Sequence, residues 1–464
     1  MSNLKIALAE LENQLILSQS KLESITDSFF SCFLKGLTTK ATQNEESNEH
    51  EELMTQVMLP SFVSRLPTGN ETGTSYAMDI GGTNLRVAAV TFLGEGRTEI
   101  RQKHFIIAEE LKTSGVEQLF QWVAEKVEES IVEDGILKMG VTFSFPIEQQ
   151  TIKKGVAMKM GKGFNVPGLS GYDVTELLNS SFKKKNLNIE IVAIVNDTVG
   201  TLVAQAYKDP NTKISLIFGT GTNAACVVPV DAITKLDSTT KRDKKGDDDD
   251  TVMLINTEWS LLGHDFLPFT QYDYTLDAQS DKPNFQPYEK MMSAHYFKEL
   301  IRLVLLDYIR KFGLFGGKEV ESLSHPYSLK PELLSRIQSE KDTNKVATIL
   351  HDELKFSQQQ LENPDDIIAL QKIIHYFATR GSQLSASGIA ALLKLLYGDY
   401  SNIKSNVTLA VDGSFYLKYR EFSDGIDNYL FSILGNNTRN YVKLVSAENG
   451  GSIGAAMVAM LYSK

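Results

Sequence analysis

Ala193-Ile194-Val195-Asn196-Asp197-Thr198-Val199-Gly200-Thr201-Leu202 is the stretch on which the fold turns. Residues 193–195 form an apolar run suited to a buried strand, and it stops abruptly at two polar residues, Asn196 and Asp197. Residues 198–201 then open into the amphipathic run 202–207, which suits a helix. A carboxylate at the end of a buried strand is held at the carboxyl edge of a sheet, where open α/β sheets place their ligands. Asp197 therefore has two readings, a cap of the following helix or a group that does chemistry.

The same grammar recurs on both sides of this stretch. Residues 76–80 read as a strand, Gly81-Gly82-Thr83-Asn84 as a tight turn and residues 86–92 as a returning strand. Strand, glycine turn and strand make a hairpin, whereas a dinucleotide-binding fingerprint needs a helix after the glycines. Residues 138–143 are a further strand ending at Ser144, residues 172–179 a helix, and residues 190–195 the strand that leads to Asp197. The pattern then restarts. Residues 213–218, the turn Gly219-Thr220-Gly221-Thr222 and residues 223–228 form a second hairpin that echoes the first, as an internal repeat would. Strands follow at 252–256, 408–411 and 441–447. The last two end at Asp412-Gly413-Ser414 and Glu448-Asn449-Gly450-Gly451. Long helices are predicted at 288–312 and 367–396, and an alanine-rich one at 452–461.

Toward the N-terminus, Leu4, Leu8, Leu11, Leu15, Leu22, Ile25 and Phe29 follow steps of four and three broken only at Ser18, which predicts one long amphipathic helix. It can lie against the chain's own domain or serve as a dimerisation arm, so the chain is expected as a monomer or homodimer. Residues 38–52 are polar and aperiodic and read as an exposed loop. Residues 237–250, with Lys241, Arg242, Lys244 and Lys245 before a run of four aspartates, read as a solvated loop rather than a metal cluster.

Bulk properties narrow the function. At 464 residues the chain has room for two substantial domains. Its net charge of −11 opposes nucleic acid or an anionic membrane as partner. An anionic small ligand would need local help from main-chain N–H groups or a few cations. Two distant cysteines, Cys32 and Cys226, exclude a disulfide framework and suit a reducing compartment. The seven histidines lack metal-like spacing. No run approaches the roughly 18 apolar residues of a membrane span, and the N-terminus lacks a secretory pattern. The expectation is a soluble, cytoplasmic protein.

Two glycine–threonine hairpins are what a split phosphate site requires. Glycine lets the backbone approach an oxyanion closely, while threonine hydroxyls and main-chain N–H groups donate. Neither turn is a Walker loop. Asp79, just before the first turn, is a hard oxygen ligand suited to Mg²⁺ beside phosphates. One rival motif fails: Gly450-Gly451-Ser452-Ile453-Gly454 matches a nucleophile elbow, but that fold needs an acid and a histidine later in the chain. Residues 453–464 contain no Asp, Glu or His.

Taken together, these segments resemble the hexokinase family from about residue 59 to residue 461. The matching pieces are Met58-Leu-Pro-Ser-Phe-Val, Met78-Asp-Ile-Gly-Gly-Thr-Asn-Leu-Arg, Phe143-Ser-Phe-Pro, Lys162-Gly-Phe and Asn196-Asp-Thr-Val-Gly-Thr. Phe218-Gly-Thr-Gly-Thr-Asn, Asn256-Thr-Glu-Trp, Glu289-Lys-Met and Val411-Asp-Gly-Ser complete the set. The resemblance implies an α/β fold of the actin-like ATPase (ribonuclease H-like) type, duplicated, with two domains hinged around a cleft. Residues 1–60 would pack on the large domain, 61–198 would form the small domain and 199–464 the large, ATP-binding one. It implies ATP and Mg²⁺, a sugar substrate, and Asp197 as the base that deprotonates the sugar's 6-hydroxyl, with Lys162 as its catalytic companion. Asn196, Asn223, Glu258 and Glu289 match the family's sugar-hydroxyl ligands. Ser144, Gly161 and Lys162 match its small-domain contacts. Asp79 matches the acid near Mg²⁺. Gly81, Gly82, Thr83 and Asn84 match one phosphate turn and Gly219, Thr220, Gly221 and Thr222 the other. Gly413, Ser414, Gly450 and Gly451 lie where the family holds adenosine.

The departures concern the sugar. Where the family usually reads Trp-Thr-Lys-Gly-Phe, this chain has Met160-Gly161-Lys162-Gly163-Phe164. Gly161 therefore lacks a hydroxyl worth about 1 kcal/mol to the sugar and removes bulk from the cleft wall. Ser260 stands where glycine usually follows Asn-Thr-Glu-Trp. A changed wall around an intact catalytic set favours a bulkier hexose such as N-acetylglucosamine. The alternative is an enzyme for glucose, mannose or fructose that binds glucose more weakly. A non-catalytic sugar sensor would be expected to lose the base or a phosphate turn, and both are present.

Overall fold

The computed structural model describes residues 2–40, 49–131, 135–145, 147–158, 165–236 and 251–463. Two mixed sheets carry the chain. The first contains β2 (Thr72–Ile80), β3 (Asn84–Gly94), β4 (Arg97–Ile106), β5 (Leu137–Phe143) and β8 (Ile189–Val195), in the order β4-β3-β2-β5-β8. The second contains β1 (Leu59–Pro60), β9 (Thr212–Phe218), β10 (Thr222–Pro229), β11 (Val252–Asn256), β12 (Val407–Asp412) and β13 (Val442–Ser446), in the order β1-β11-β10-β9-β12-β13. A separate ribbon pairs β6 (Ile147–Thr151) with β7 (Lys154–Ala157).

The two sheets are built alike. β2 pairs antiparallel with β3 and parallel with β5, which pairs parallel with β8. β9 pairs antiparallel with β10 and parallel with β12, which pairs parallel with β13. Beyond each hairpin, a third antiparallel strand follows. The repeat read from the glycine hairpins is therefore a duplication of a five-stranded unit. Strands β5 and β8 are continuous apolar runs, buried over residues 139–143 and 191–195, as parallel strands covered on both faces must be.

A third hydrophobic cluster joins the sheets. It gathers Ala77, Ala88 and Val90 from the first, Ala225, Val227 and Leu254 from the second, and apolar residues of helices Asp197–Lys208 and Gly450–Tyr462. These helices touch at backbone distance. A Cβ on Gly454 would lie 1.9 Å from the Gly200 carbonyl oxygen, and one on Gly140 would lie 2.0 Å from that of Ala455. The last helix thus packs on β2 and β5 of the first sheet, although it follows the second in sequence. Gly140 and Gly200 leave room for this close approach of helix backbone.

Other expectations are corrected locally. The N-terminal periodicity belongs to two helices, Ser2–Leu15 and Gln19–Thr38, with Ser18 in extended conformation capping the second. Gln383 clamps the break, donating to the Leu17 carbonyl and accepting from its N–H, both at 2.9 Å. Leu11, Leu15, Ile25 and Phe29 are buried in the chain's own core, and Leu22 is buried as well. Within residues 38–52, predicted as loop, the helix Glu49–Thr55 begins. The helix predicted at 288–312 is two, Pro287–Met292 and Ala294–Phe312, separated by an extended Ser293. Residues 367–396 lie within one helix, Pro364–Tyr397. Residues 237–250 lie outside the described residues.

The glycine contact yields a stability prediction. Gly454→Ala should cost at least about 2 kcal/mol through overpacking, read as a lower urea midpoint. Gly115→Ala, where nothing lies within 4 Å of the new carbon, should change it by less than about 1 kcal/mol.

Candidate active site

β8 ends at Val195 and the next helix begins at Asp197, so the two polar residues occupy different places. Asn196 is the cap: its Oδ1 accepts the Thr198 N–H at 2.9 Å and the Thr198 hydroxyl. Asp197 stands at the first helical position, half-exposed, with Oδ1 2.8 Å from the same N–H. The capping role open to Asp197 from sequence thus belongs to Asn196. What remains for a ligand on Asn196 is its NH₂, because its carbonyl oxygen is committed.

Asn223, at the start of β10, donates through Nδ2 to Asn256 Oδ1 at 2.8 Å, and Asn256 Nδ2 donates to Glu258 Oε1 at 2.8 Å. The same Asn223 amide lies 3.4 Å from Glu258 Oε1 and 3.5 Å from Asn196 Oδ1. Four side chains from three strand ends therefore converge. Glu258 sits in left-handed backbone (φ 47°), a strained conformation for a non-glycine residue that marks functional positions. Glu289 joins from the helix Pro287–Met292, its Oε2 accepting the Thr222 N–H at 2.8 Å. A Cβ on Gly221 would lie 2.3 Å from that oxygen, so the glycine makes room for the carboxylate. Ser144 follows β5 and donates its N–H to the Ile80 carbonyl at 3.1 Å, beside the first turn. Gly161 and Lys162 lie outside the described residues. Asn256 gains its role only from the structure; its signal in the sequence is its place at the end of β11, two residues before Glu258.

The first turn is closed by the Gly81 N–H donating to the Asn84 carbonyl at 3.0 Å, with Gly82 and Thr83 at its tip. Opposite Asp79 in register stands Arg86, whose Nη1 is 2.6 Å from Asp79 Oδ2 and whose Nε is 2.6 Å from His104 Nε2. Partial burial and then the Arg86 charge hold His104 below the usual histidine range. Sequence reasoning overlooked Arg86, a cation beside the first turn of an acidic protein. In the second turn the Gly219 N–H donates to the Gly221 carbonyl at 2.9 Å. Carbonyls of Gly219 and Thr220 accept from Ala294 and His295, the first N–H groups of helix Ala294–Phe312. Thr220 is exposed, whereas Thr222 is buried and its Oγ1 accepts the Trp259 indole N–H at 3.1 Å. The two threonines, assigned alike from sequence, face different surroundings.

Gly413 and Ser414 lie against the second turn; a Cβ on Gly413 would be 2.8 Å from the Gly219 nitrogen. Beside them is a shallow hollow of about 30 Å³ lined by Ala294, Glu332, Ser414, Phe415, Lys418 and Tyr419. Gly450 and Gly451 are placed differently from Gly413 and Ser414. Gly451 lies against Asp79 and Thr142, and Gly450 against Thr201, so both serve the helix contact.

Burial pushes the Asp412 carboxyl above its usual range, the Gly413 N–H at 2.6 Å opposes this, and the negative charge of Asp197 adds to it. Arg86 and Glu448 act on the same group with opposite signs. Asp197, Asp412, Glu448 and Arg86 thus share one electrostatic neighbourhood. Among the described residues no group of three or more His, Cys, Asp or Glu could hold a metal ion. Asp79, with one oxygen on Arg86, fits Mg²⁺ of the kind that keeps its waters and arrives with phosphates.

Because the folded pKa of Asp412 is raised, its stabilising contribution is complete below the unfolded value of 3.8 and is lost as pH rises through the folded value. Asp412→Asn should therefore raise the thermal midpoint at pH 7, and the gain should shrink when the comparison is repeated near pH 4. A gain independent of pH would be inconsistent with this account.

Two family profiles, both described as hexokinase, match residues 7–207 and 213–461. Hexokinase-1 of Schizosaccharomyces pombe is 33% identical over 465 residues, covering 98% of this chain and 91% of the relative. Hexokinase-1 of Saccharomyces cerevisiae is 32% identical, covering 98% of this chain and 92% of its own. A solved structure, the hexokinase from Schistosoma mansoni complexed with glucose, superposes with a TM-score of 0.84 at 30% identity and covers 99% of both chains. With a duplicated α/β fold of the actin-like type, both glycine turns and the strand-end acids in place, the chain belongs to the hexokinase family.

Proposed function

We propose that this chain transfers the γ-phosphate of ATP to the 6-hydroxyl of glucose. The observation that carries the reading is the convergence of Asn196, Asn223, Asn256, Glu258 and Glu289 beside Asp197. Carboxylates and amides can each hold two adjacent hydroxyls of a pyranose, and their fixed hydrogen bonds leave little reorganisation to be done when the sugar arrives. Asp197 then accepts the 6-hydroxyl proton as that oxygen bonds to the γ-phosphorus and the bond to the departing ADP oxygen breaks. Lys162, known here from sequence alone, is assigned to the sugar's other side. Main-chain N–H groups at the tips of the two turns, Gly82, Thr83 and Thr220, together with Arg86, supply positive potential to the phosphates. Mg²⁺ bound through Asp79 would neutralise charge on the transferring group. Gly413 and Ser414, beside the second turn, are assigned to the adenosine end of the nucleotide. The two sheets, with their shared cluster between them, would be the small and large domains that flank the cleft.

Glucose replaces N-acetylglucosamine as the favoured sugar. Gly161 favours the bulkier sugar, but Ser260, the second departure, supports no enlargement: it is buried, and its Oγ accepts from Gln286 Nε2 at 3.2 Å. The Schistosoma mansoni relative is in complex with glucose.

An ATP-coupled assay with glucose, mannose, fructose and N-acetylglucosamine tests the reading. Glucose should exceed N-acetylglucosamine in kcat/KM by at least about tenfold, the effect of one well-placed group. Greater turnover of N-acetylglucosamine would restore the preference drawn from Gly161, and turnover of none would sink the kinase reading. Asp197→Ala should lower kcat by roughly 10²- to 10⁴-fold while ATP binding, followed by calorimetry, persists. Retained turnover would remove the base role.

A further inference from the structure

Thr222 ends the second glycine turn and points into the protein. It is 5% exposed, its Oγ1 accepts the Trp259 indole N–H at 3.1 Å, and its N–H donates to Glu289 Oε2 at 2.8 Å. Trp259 is fully buried and directly follows Glu258, whose left-handed backbone turns the carboxylate toward Asn223 and Asn256. The indole also stands edge-on to Tyr288, the residue before Glu289, with centroids 5.5 Å apart at 87°. Gln286, which opens the same helix, is left-handed as well (φ 53°) and donates to Ser260. Two strained residues, each next to or near an acid, are therefore held by one small set of contacts with Thr222 at its centre.

We infer that Thr222 is a positioning residue for the carboxylates of Glu258 and Glu289, and not a nucleotide ligand. Its hydroxyl anchors Trp259, and the anchored indole resists relaxation of the backbone at Glu258. Its N–H meanwhile fixes Glu289. A hydroxyl engaged by a buried indole is poorly placed to greet a phosphate, in contrast to the exposed Thr220 two residues earlier in the same turn. The turn thus has two ends: Gly219 lies beside Gly413, whereas Gly221 and Thr222 lie against Glu289. This inference rests on the reading that Glu258 and Glu289 hold the sugar.

Thr222→Val keeps the side-chain volume but leaves the indole N–H unpaired, and Thr222→Ser keeps the acceptor. For Thr222→Val the sugar KM should rise about tenfold, the loss of one buried hydrogen bond, with the ATP KM within about twofold of wild type. Thr222→Ser should restore the sugar KM. The chain has two tryptophans, so in a Trp122→Phe background the emission of Trp259 should shift in the valine variant and return in the serine one. A raised ATP KM with unchanged sugar KM would make Thr222 a phosphate ligand and overturn the inference, as would no change in either constant. If Thr222→Val does not fold, Thr222→Cys, with only a weak sulfur acceptor, carries the same expectations and the same refutations. A wild-type protein that phosphorylates no hexose would defeat the functional reading itself; a working kinase whose variants keep their sugar KM would defeat only this inference.

Discussion

Two helices that meet backbone to backbone set the geometry on which the site depends. The Gly200 carbonyl comes so close to Gly454 that no side chain fits between them, and Gly450 lies equally tight against Thr201. One helix begins at Asp197, at the end of β8; the other begins beside Asp79, at the end of β2. Their contact therefore fixes the spacing between the proposed base and the acid at the first phosphate turn. Burial of the surrounding alanines and valines supplies the driving force, at about 25 cal/mol per Å² of apolar surface. Because residues of both sheets enter this cluster, the same contact joins the two halves of the duplication.

That arrangement concentrates negative charge. Asp197 and Glu448 both act on Asp412, in a chain whose net charge is already −11. At an effective dielectric near 20, two like charges 4 Å apart repel by about 4 kcal/mol, so a polyanionic nucleotide would not enter unaided. Compensation comes from Arg86, which is ion-paired to Asp79 and also lowers the cost of ionising Asp412, and from the main-chain N–H groups of the glycine turns. The first N–H groups of helix Ala294–Phe312 add to this by donating to the second turn, which aligns the positive end of that helix dipole with Gly219 and Thr220.

Much of this was legible in the chain because it is local. A strand, a glycine turn and a returning strand can be read from alternation and two residue types, and the duplicated sheets follow from finding that pattern twice. Asp197 was legible for the same reason, standing where an apolar run stops. What escaped was set by distant partners. Whether Asn196 or Asp197 caps the helix depends on backbone angles that either residue accepts. Thr220 and Thr222 are alike in sequence, and only Trp259, 37 residues on, separates their roles. The breaks at Ser18 and Ser293 left the apolar period intact, so one helix could not be told from two. The last helix returns to the first sheet because of Gly140 and Gly200, and a glycine does not announce what will pack against it.

The two departures from the family pattern now part company. In sequence Gly161 and Ser260 both read as changes in the cleft wall, but Ser260 is part of the buried framework. Its buried hydroxyl accepts from Gln286 and so links the loop that carries Glu258 to the helix that carries Glu289. A glycine at that position could neither accept this bond nor restrict the backbone next to a strained residue. Ser260 and Thr222 act on the same two acids from opposite sides, and both stiffen the sugar side of the site. A stiffened site favours a close-fitting sugar over one that needs room at its edge, because a bulky substituent must be accommodated by movement that these bonds oppose. On the proposed reading, substrate choice then rests on residue 161, beside a framework suited to the smaller hexose.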